Sequence, residues 1–216
     1  MYSRLDVITL AGAGPDEALS ELRRVAADLP GLRGALIAPT LDGAYNGGDV
    51  IMRLTFDGEA AAQRAAASDA GRTVDALLGD PAWVSRVDHV GFAANAAGGP
   101  SRGGGVYRVA LFCANVRPTA ERLETFARHT VLMPNHVRSI GRWQLSEPRE
   151  ATGTRNWTHV WEQEYADLSG LLGAYMMHPV HWAHVERWFD PEYPEWLVDT
   201  ELVHTFCAIE EPAILA

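Results

Sequence analysis

Several things are scarce in this sequence, and each scarcity narrows the reading. Hydrophobic residues make up 47% of the 216 positions. Yet no uninterrupted apolar run approaches the roughly 20 residues a membrane helix needs. The first ten residues, MYSRLDVITL, lack the basic-then-apolar order of a secretion signal, so a cytoplasmic location is the default expectation. There are two cysteines, Cys113 and Cys207. Both fall inside expected strands and read as small buried hydrophobes, not as a disulfide. Positive charge is neither abundant nor clustered, and the formal net charge is −10. Polyanions would be repelled at long range, which argues against nucleic acid and anionic membrane surfaces as partners. No HExxH or CxxC spacing occurs. The glycines at Gly103–Gly105 lack the following Lys and Ser/Thr of a phosphate loop and lead into a strand.

What is present is an order of elements that occurs twice. Residues 94–105, ANAAGGPSRGGG, are small, polar and Gly-rich, which is linker composition. Before them, periodicity predicts strands at Leu5–Leu10, Leu32–Leu41, Val50–Phe56 and Val84–Phe92, with helices at Pro15–Leu29, Gly58–Ser68 and Thr73–Leu78. After them come strands at Tyr107–Cys113, Val137–Leu145, Thr158–Tyr165 and Glu201–Ile209. The helices there are Pro118–Val131, Leu168–Met177 and His181–Phe189. Pro118 suits the first turn of its helix, where a missing N–H costs nothing. Each half is β-α-β-β-α-β, the ferredoxin-like arrangement, with an antiparallel sheet covered by helices on one face. The bare faces of the two sheets must also be buried. The expected class is therefore α+β, with two ferredoxin-like repeats (residues 1–93 and 106–216) packed sheet to sheet as an intrachain dimeric α/β barrel.

Titratable groups concentrate between Asn156 and Phe189, where His159, His178, His181, His184 and Tyr175 sit among aromatics. Strand alternation puts Trp157, His159, Trp161, Gln163 and Tyr165 on one face, and Thr158, Val160, Glu162 and Glu164 on the other. Pro179 removes a backbone donor and is expected to break the chain between two helices. Tyr175 and His181 would then converge from opposite sides of the break.

These residues carry a resemblance. Thr158-His159-Val160 with Glu162 and Tyr165, followed by Tyr175-Met176-Met177-His178-Pro179-Val180-His181, resembles the strand and HPxH element of the stress-responsive dimeric α/β-barrel (Dabb) family. The second half is similar to its olivetolic acid cyclase-type enzymes, which close a ring by aldol condensation without a cofactor. That resemblance implies Tyr175 and His181 as the catalytic pair and His159 as a third pocket residue. Arg108 stands where those enzymes carry a further histidine. The implied roles are His181 as general base, Tyr175 as oxyanion donor or general acid, and His159 as an orienting group. Arg108, Trp161, His178 and Trp182 are the expected substrate contacts. No cofactor is expected. The expected ligand is a small aromatic or polyketide-like carbonyl compound, and the chain is expected to be a monomer or homodimer.

Plainer readings stand beside these. His159 could be a satisfied core side chain, and His178 could hold the bend through a backbone hydrogen bond. His184 reads as a supporting residue, and Trp182, Trp188, Phe189, Tyr193 and Trp196 as core or pocket wall. His159, His178, His181 and His184 could supply an imidazole metal site, but Pro179 disrupts the register that would align them. No residue is singled out as a haem ligand. Aligning Thr55-Phe56 with Glu164-Tyr165 places Val50, Ala66 and Arg72 of the first half at the His159, Tyr175 and His181 positions, so that half reads as a degenerate copy retained to close the barrel. Three functions are compatible: carbon–carbon bond formation or cleavage (aldol or lyase) by acid/base chemistry, ligand binding without turnover in a stress response, and cofactor-free monooxygenation.

Overall fold

The computed structural model describes residues 1–12, 14–101 and 103–215. The first repeat contains β1 (Tyr2–Leu10), α1 (Pro15–Ala26), β2 (Leu32–Pro39), β3 (Val50–Phe56), α2 (Glu59–Ala66), α3 (Asp69–Gly79) and β4 (Val84–Ala93). A short β5 (Ala96–Gly98) follows. The second repeat contains β6 (Gly105–Phe112), α4 (Ala120–Thr130), α5 (Met133–His136), β7 (Ile140–Ser146), β8 (Glu150–Thr152), β9 (His159–Tyr165) and β10 (Val203–Ile209).

Helix ends follow local chemistry. Pro15 opens α1, with Asp16 and Glu17 in its first turn and Arg23 and Arg24 in its last, matching the helix dipole. Ser68 caps α3 by accepting the Gly71 N–H, and Thr119 caps α4 by accepting the Arg122 N–H. Because Thr119 is the cap, Pro118 lies just outside α4 and not in its first turn. Cys113 lies one residue past β6, and both cysteines are buried and free.

The strands form two antiparallel sheets, ordered β2-β3-β1-β4-β8 and β10-β6-β9-β7-β5. In each, the first four strands of that order follow the ferredoxin-like arrangement. The fifth strands come from elsewhere: β5, in the segment that joins the repeats, pairs with Trp143–Leu145 of the second sheet, and β8 leaves the second repeat to pair with His89–Gly91 of the first sheet. Part of the segment with linker composition is thus an edge strand. At the opposite side the sheets touch through Leu41 N–H to the Phe206 carbonyl (2.9 Å) and paired bonds between Tyr45 and His204. The two ladders stay separate, so the expected closed barrel is instead a sandwich of two sheets.

β3 and β9 are buried along their whole length, because each faces the other sheet on one side and helices on the other. Leu5, Val7, Ile51, Val90, Val109, Leu111, Val160 and Cys207 fill the space between the sheets. Full burial of each large aliphatic side chain contributes about 1.5–3 kcal/mol. The acidic face of β9 points into that space. Glu162 accepts from Arg53 Nε (2.6 Å), the Tyr107 hydroxyl (2.6 Å) and Gln144 Nε2 (3.1 Å). Glu164 accepts the N–H groups of Ala213 and Ile214, each at 2.8 Å. No helix of the described residues is long and apolar enough to cross a membrane.

The two helices expected between β9 and β10 are wider than an α-helix. Gly170–Tyr175 and His181–Val185 are π-helical, and Met176 N–H bonds back five residues to the Leu171 carbonyl. A 3.6-residue hydrophobic pattern cannot distinguish the two forms, and π turns concentrate at functional sites.

Candidate active site

The helix-facing side of the second sheet carries a cavity of about 430 Å³. Arg108 on β6, Trp161 on β9 and His204 on β10 line its strand side, and the π-helical segments lie across it. Tyr175 closes the first segment and His181 opens the second, on either side of Pro179. Their rings meet edge to face, with centroids 5.1 Å apart. The convergence expected from the sequence is therefore present. The Arg108 guanidinium carbon lies 5.6 Å from the Tyr175 ring centre, and Arg108 Nη1 donates to Gln163 Oε1 at 3.0 Å. Phe112, Met133, Met176, Val185 and Phe189 make the walls apolar, and half-exposed Trp182 lies at the rim.

Polar atoms around this cavity lack partners. They include Arg108 Nε, Trp161 Nε1, Gln163 Nε2, the Tyr165 hydroxyl, His181 Nδ1 and His204 Nε2. Buried polar groups in folded proteins are ordinarily paired, so this concentration marks the cavity as a place for a polar ligand. Burial, reinforced by the Arg108 charge, pushes the His181 pKa down to about 4. Burial acts the same way on His204, with Arg108 and His181 adding to it, and lowers it to about 3. Both rings are thus neutral at pH 7 and able to accept a proton. Burial raises the Tyr165 hydroxyl well above its usual value, with Tyr175 adding to the effect, so it stays a donor.

Three of the expected site residues lie elsewhere or differently. His159 is buried beside Phe126 on α4 (centroids 5.1 Å) and bonds Thr158 Oγ1 at 2.9 Å. It does not line the cavity, and burial holds its pKa at about 4. His178 also stands outside the lining, with Nδ1 accepting the Val180 N–H (3.2 Å) after the break. Trp182 contributes a wall, while its indole N–H is used on the Met176 carbonyl (3.0 Å). Trp157, assigned to the aromatic face by alternation, precedes the strand and packs between the sheets, with its indole on Asp88 Oδ1 (3.3 Å). His184 pairs edge to face with His129. The four histidines weighed as a metal site thus point to different neighbours. No group of three or more His, Cys, Asp or Glu is placed to hold a metal among the described residues.

Sequence reasoning missed His204 and Tyr45. Alternation along β10 sends Val203, Cys207 and Ile209 between the sheets, which leaves His204 for the helix side. That signal was available. Tyr45 arrives from the β2–β3 loop of the first repeat, and no local pattern announces it.

The first repeat is also less bare than its Ala-rich helix suggests. Its helix-facing side holds a cavity of about 480 Å³ lined in part by Tyr2, Arg4, Asp6 and His89. Asp6 accepts from Arg4 Nε through one oxygen and meets His89 Nδ1 with the other, both at 2.8 Å. The acid/base residues of this half lie on its strands.

Residues 106–199 match the sequence profile of the stress responsive A/B barrel domain, Dabb. No curated protein matches the chain in sequence. Among solved structures, the chain is similar to an anthrone oxidase-like protein, with 10% identity, TM-score 0.71, and coverage of 96% of this chain and 90% of that one. A candidate monooxygenase from Fusobacterium nucleatum aligns with 10% identity, TM-score 0.65, and coverage of 97% and 92%. A chlorite dismutase mutant from Candidatus Nitrospira defluvii aligns with 11% identity, TM-score 0.52, and coverage of 98% and 91%. These likenesses are of fold. The sheet order shows the ferredoxin-like fold in the second repeat, and the profile match covers residues 106–199 of it, short of β10.

Proposed function

We propose that the chain is a cofactor-independent acid/base enzyme that removes a proton beside a carbonyl of a small aromatic or polyketide-like compound. The observation that carries this reading is His181: a neutral imidazole with Nδ1 unpartnered, set against Tyr175 in an apolar cavity with Arg108 at its side. The 216 residues contain no lysine, so a Schiff base with these residues is excluded and an enolate route is favoured.

His181 accepts the proton. The negative charge that develops on the carbonyl oxygen meets the Tyr175 hydroxyl in a largely apolar cavity, where such a contact acts more strongly than in water. The resulting carbanion can attack a second carbonyl of the same molecule or, in reverse, arise from carbon–carbon cleavage. The site would belong to residues 106–216, with Tyr45 supplied by residues 1–93, in a cytoplasmic monomer or homodimer.

A second reading keeps the first step and changes its partner, since a stabilised carbanion can react with dioxygen. Support for monooxygenation comes from the names of the similar structures, a candidate monooxygenase and an anthrone oxidase-like protein.

Exchange of the substrate's α-hydrogen for deuterium from solvent reports the shared step. Aromatic ketones sized to the cavity should exchange in the presence of the protein. His181→Ala should slow exchange by about 10²- to 10⁴-fold while binding persists, and Tyr175→Phe should slow it less. Undiminished exchange in His181→Ala would remove the base assignment. An oxygen electrode then separates the fates, because only monooxygenation consumes dioxygen with substrate.

A further inference from the structure

β3 and β9 are both seven residues long and occupy the same place in their sheets. Laid end to end, they equate Leu54 with Gln163 and Met52 with Trp161. Arg4 lies opposite Leu54, and Arg108 lies opposite Gln163. The two arginines therefore hold the same position in the two repeats. Asp6 lies opposite Met52 and His89, whereas Ala110 lies opposite Trp161 and His204. The histidines thus correspond as well, and the carboxylate between arginine and histidine exists in the first repeat alone.

In the first repeat the arrangement is complete. Asp6, itself fully buried, is held by Arg4 Nε and His89 Nδ1, each at 2.8 Å. In the second repeat Ala110 provides no acceptor. Arg108 keeps one bond, to Gln163, while its Nε has none. Trp161 Nε1 and His204 Nε2, which flank Ala110 from the neighbouring strands, are also without partners. Arg108 is 4% exposed and Trp161 1% exposed, so bulk solvent does not compensate them.

We infer that the ligand of the second-repeat cavity carries a carboxylate, and that this group docks among Arg108, Trp161 and His204, in the place that the Asp6 side chain fills in the first repeat. Arg108, Trp161 and His204 all line the cavity, so an external carboxylate reaches this position from there. The inference rests on the reading of this cavity as the substrate site and deepens it. The substrate class becomes an aromatic or polyketide-like carbonyl acid. Its carboxylate is anchored on the β6–β10 side, and its reacting carbon lies toward His181.

Calorimetric titration of the full chain with 2-naphthoate and with 2-naphthamide tests this. The two compounds have the same ring and differ in charge. Naphthoate should bind about 10- to 100-fold more tightly, the range for charge-assisted bonds to an arginine. Arg108→Gln should erase most of that preference. Ala110→Asp, which installs an internal carboxylate, should abolish naphthoate binding. Because Ala110 is fully buried, the folding of that variant is checked by circular dichroism, and Arg108→Gln alone suffices if it misfolds. Equal affinity for the two compounds, or a preference unchanged in Arg108→Gln, overturns the proposal. Binding of neither compound overturns it too. The deuterium-exchange assay decides the enzyme reading separately, since a neutral ketone needs no carboxylate anchor.

Discussion

The two repeats place an arginine and a histidine at matching points of matching strands, yet the consequences are opposite. In the first repeat Asp6 sits between Arg4 and His89, and each charged group finds its partner within the fold. In the second, alanine stands in the carboxylate's place, and the donors are left for something else. One side chain separates a self-satisfied structural network from a candidate binding site. A buried group without a partner costs about 1–3 kcal/mol. The second repeat tolerates several around one cavity, which is the pattern of a site whose stability is sacrificed to function.

The contrast has a pH signature, and it is the largest effect expected. Burial, augmented by neighbouring positive groups at two of the sites, depresses the pKa of His159, His181 and His204 in the second repeat. The unfolded chain takes up protons at these positions below about pH 6.5, while the folded chain does not until about pH 4 or below. Stability contributed by these rings is therefore lost as pH falls through that window, by up to about 1.4 kcal/mol per pH unit for each. Glu164, raised by burial, opposes this as a single carboxyl. In the first repeat burial would lower His89 as well, but its bond to Asp6 outweighs burial and holds its pKa above the usual value. Its contribution is fully present below about pH 6.5 and is lost as pH rises through the folded pKa. Urea unfolding between pH 4.5 and 8 should show a shallower acid loss in His204→Gln, and less gain on acidification in His89→Gln. Identical slopes in the two variants would break the comparison.

The next effect concerns what joins the repeats. Arg53 and Glu162 are a buried ion pair across the sheet interface. Arg53→Met leaves Glu162 uncompensated and should cost about 3–5 kcal/mol in urea unfolding. Arg53→Met combined with Glu162→Leu removes both charges and should recover a large part of the loss. A cost under about 1 kcal/mol for the single variant would show that the carboxylate escapes burial.

These contrasts were only partly legible in the sequence. Element order and the duplicated plan could be read because strand alternation and helical spacing are local. The Tyr175–His181 pair was marked by its resemblance to the Dabb HPxH element, and Pro179 between the two residues was compatible with their convergence. The three-residue strands β5 and β8 were not legible, since their pairing is decided by which sheet edge lies free. Trp157 was misplaced because alternation was extended past the start of β9, where the chain no longer follows the pleat. His159 and His178 carried an active-site motif, but their local bonds to Thr158 and Val180 take them out of the cavity. The Asp6–His89 pair is 83 residues apart in sequence. Only the register of β1 against β4 brings it together.

The smallest effect sharpens the same comparison at helix ends. Ser68 caps α3 of the first repeat and Thr119 caps α4 of the second, each through one accepted N–H bond. Ser68 also donates to the Ala65 carbonyl at 2.6 Å, tying the end of α2 to the start of α3. Loss of a cap costs about 0.5–2 kcal/mol. Ser68→Ala removes two bonds where Thr119→Ala removes one, so it should lie nearer the upper end and Thr119→Ala nearer the lower. Hydrogen exchange at Gly71 and Arg122 reads the two sites separately. A larger loss at Thr119 would mean that the first repeat is less completely bonded within itself than its Arg4–Asp6–His89 network implies.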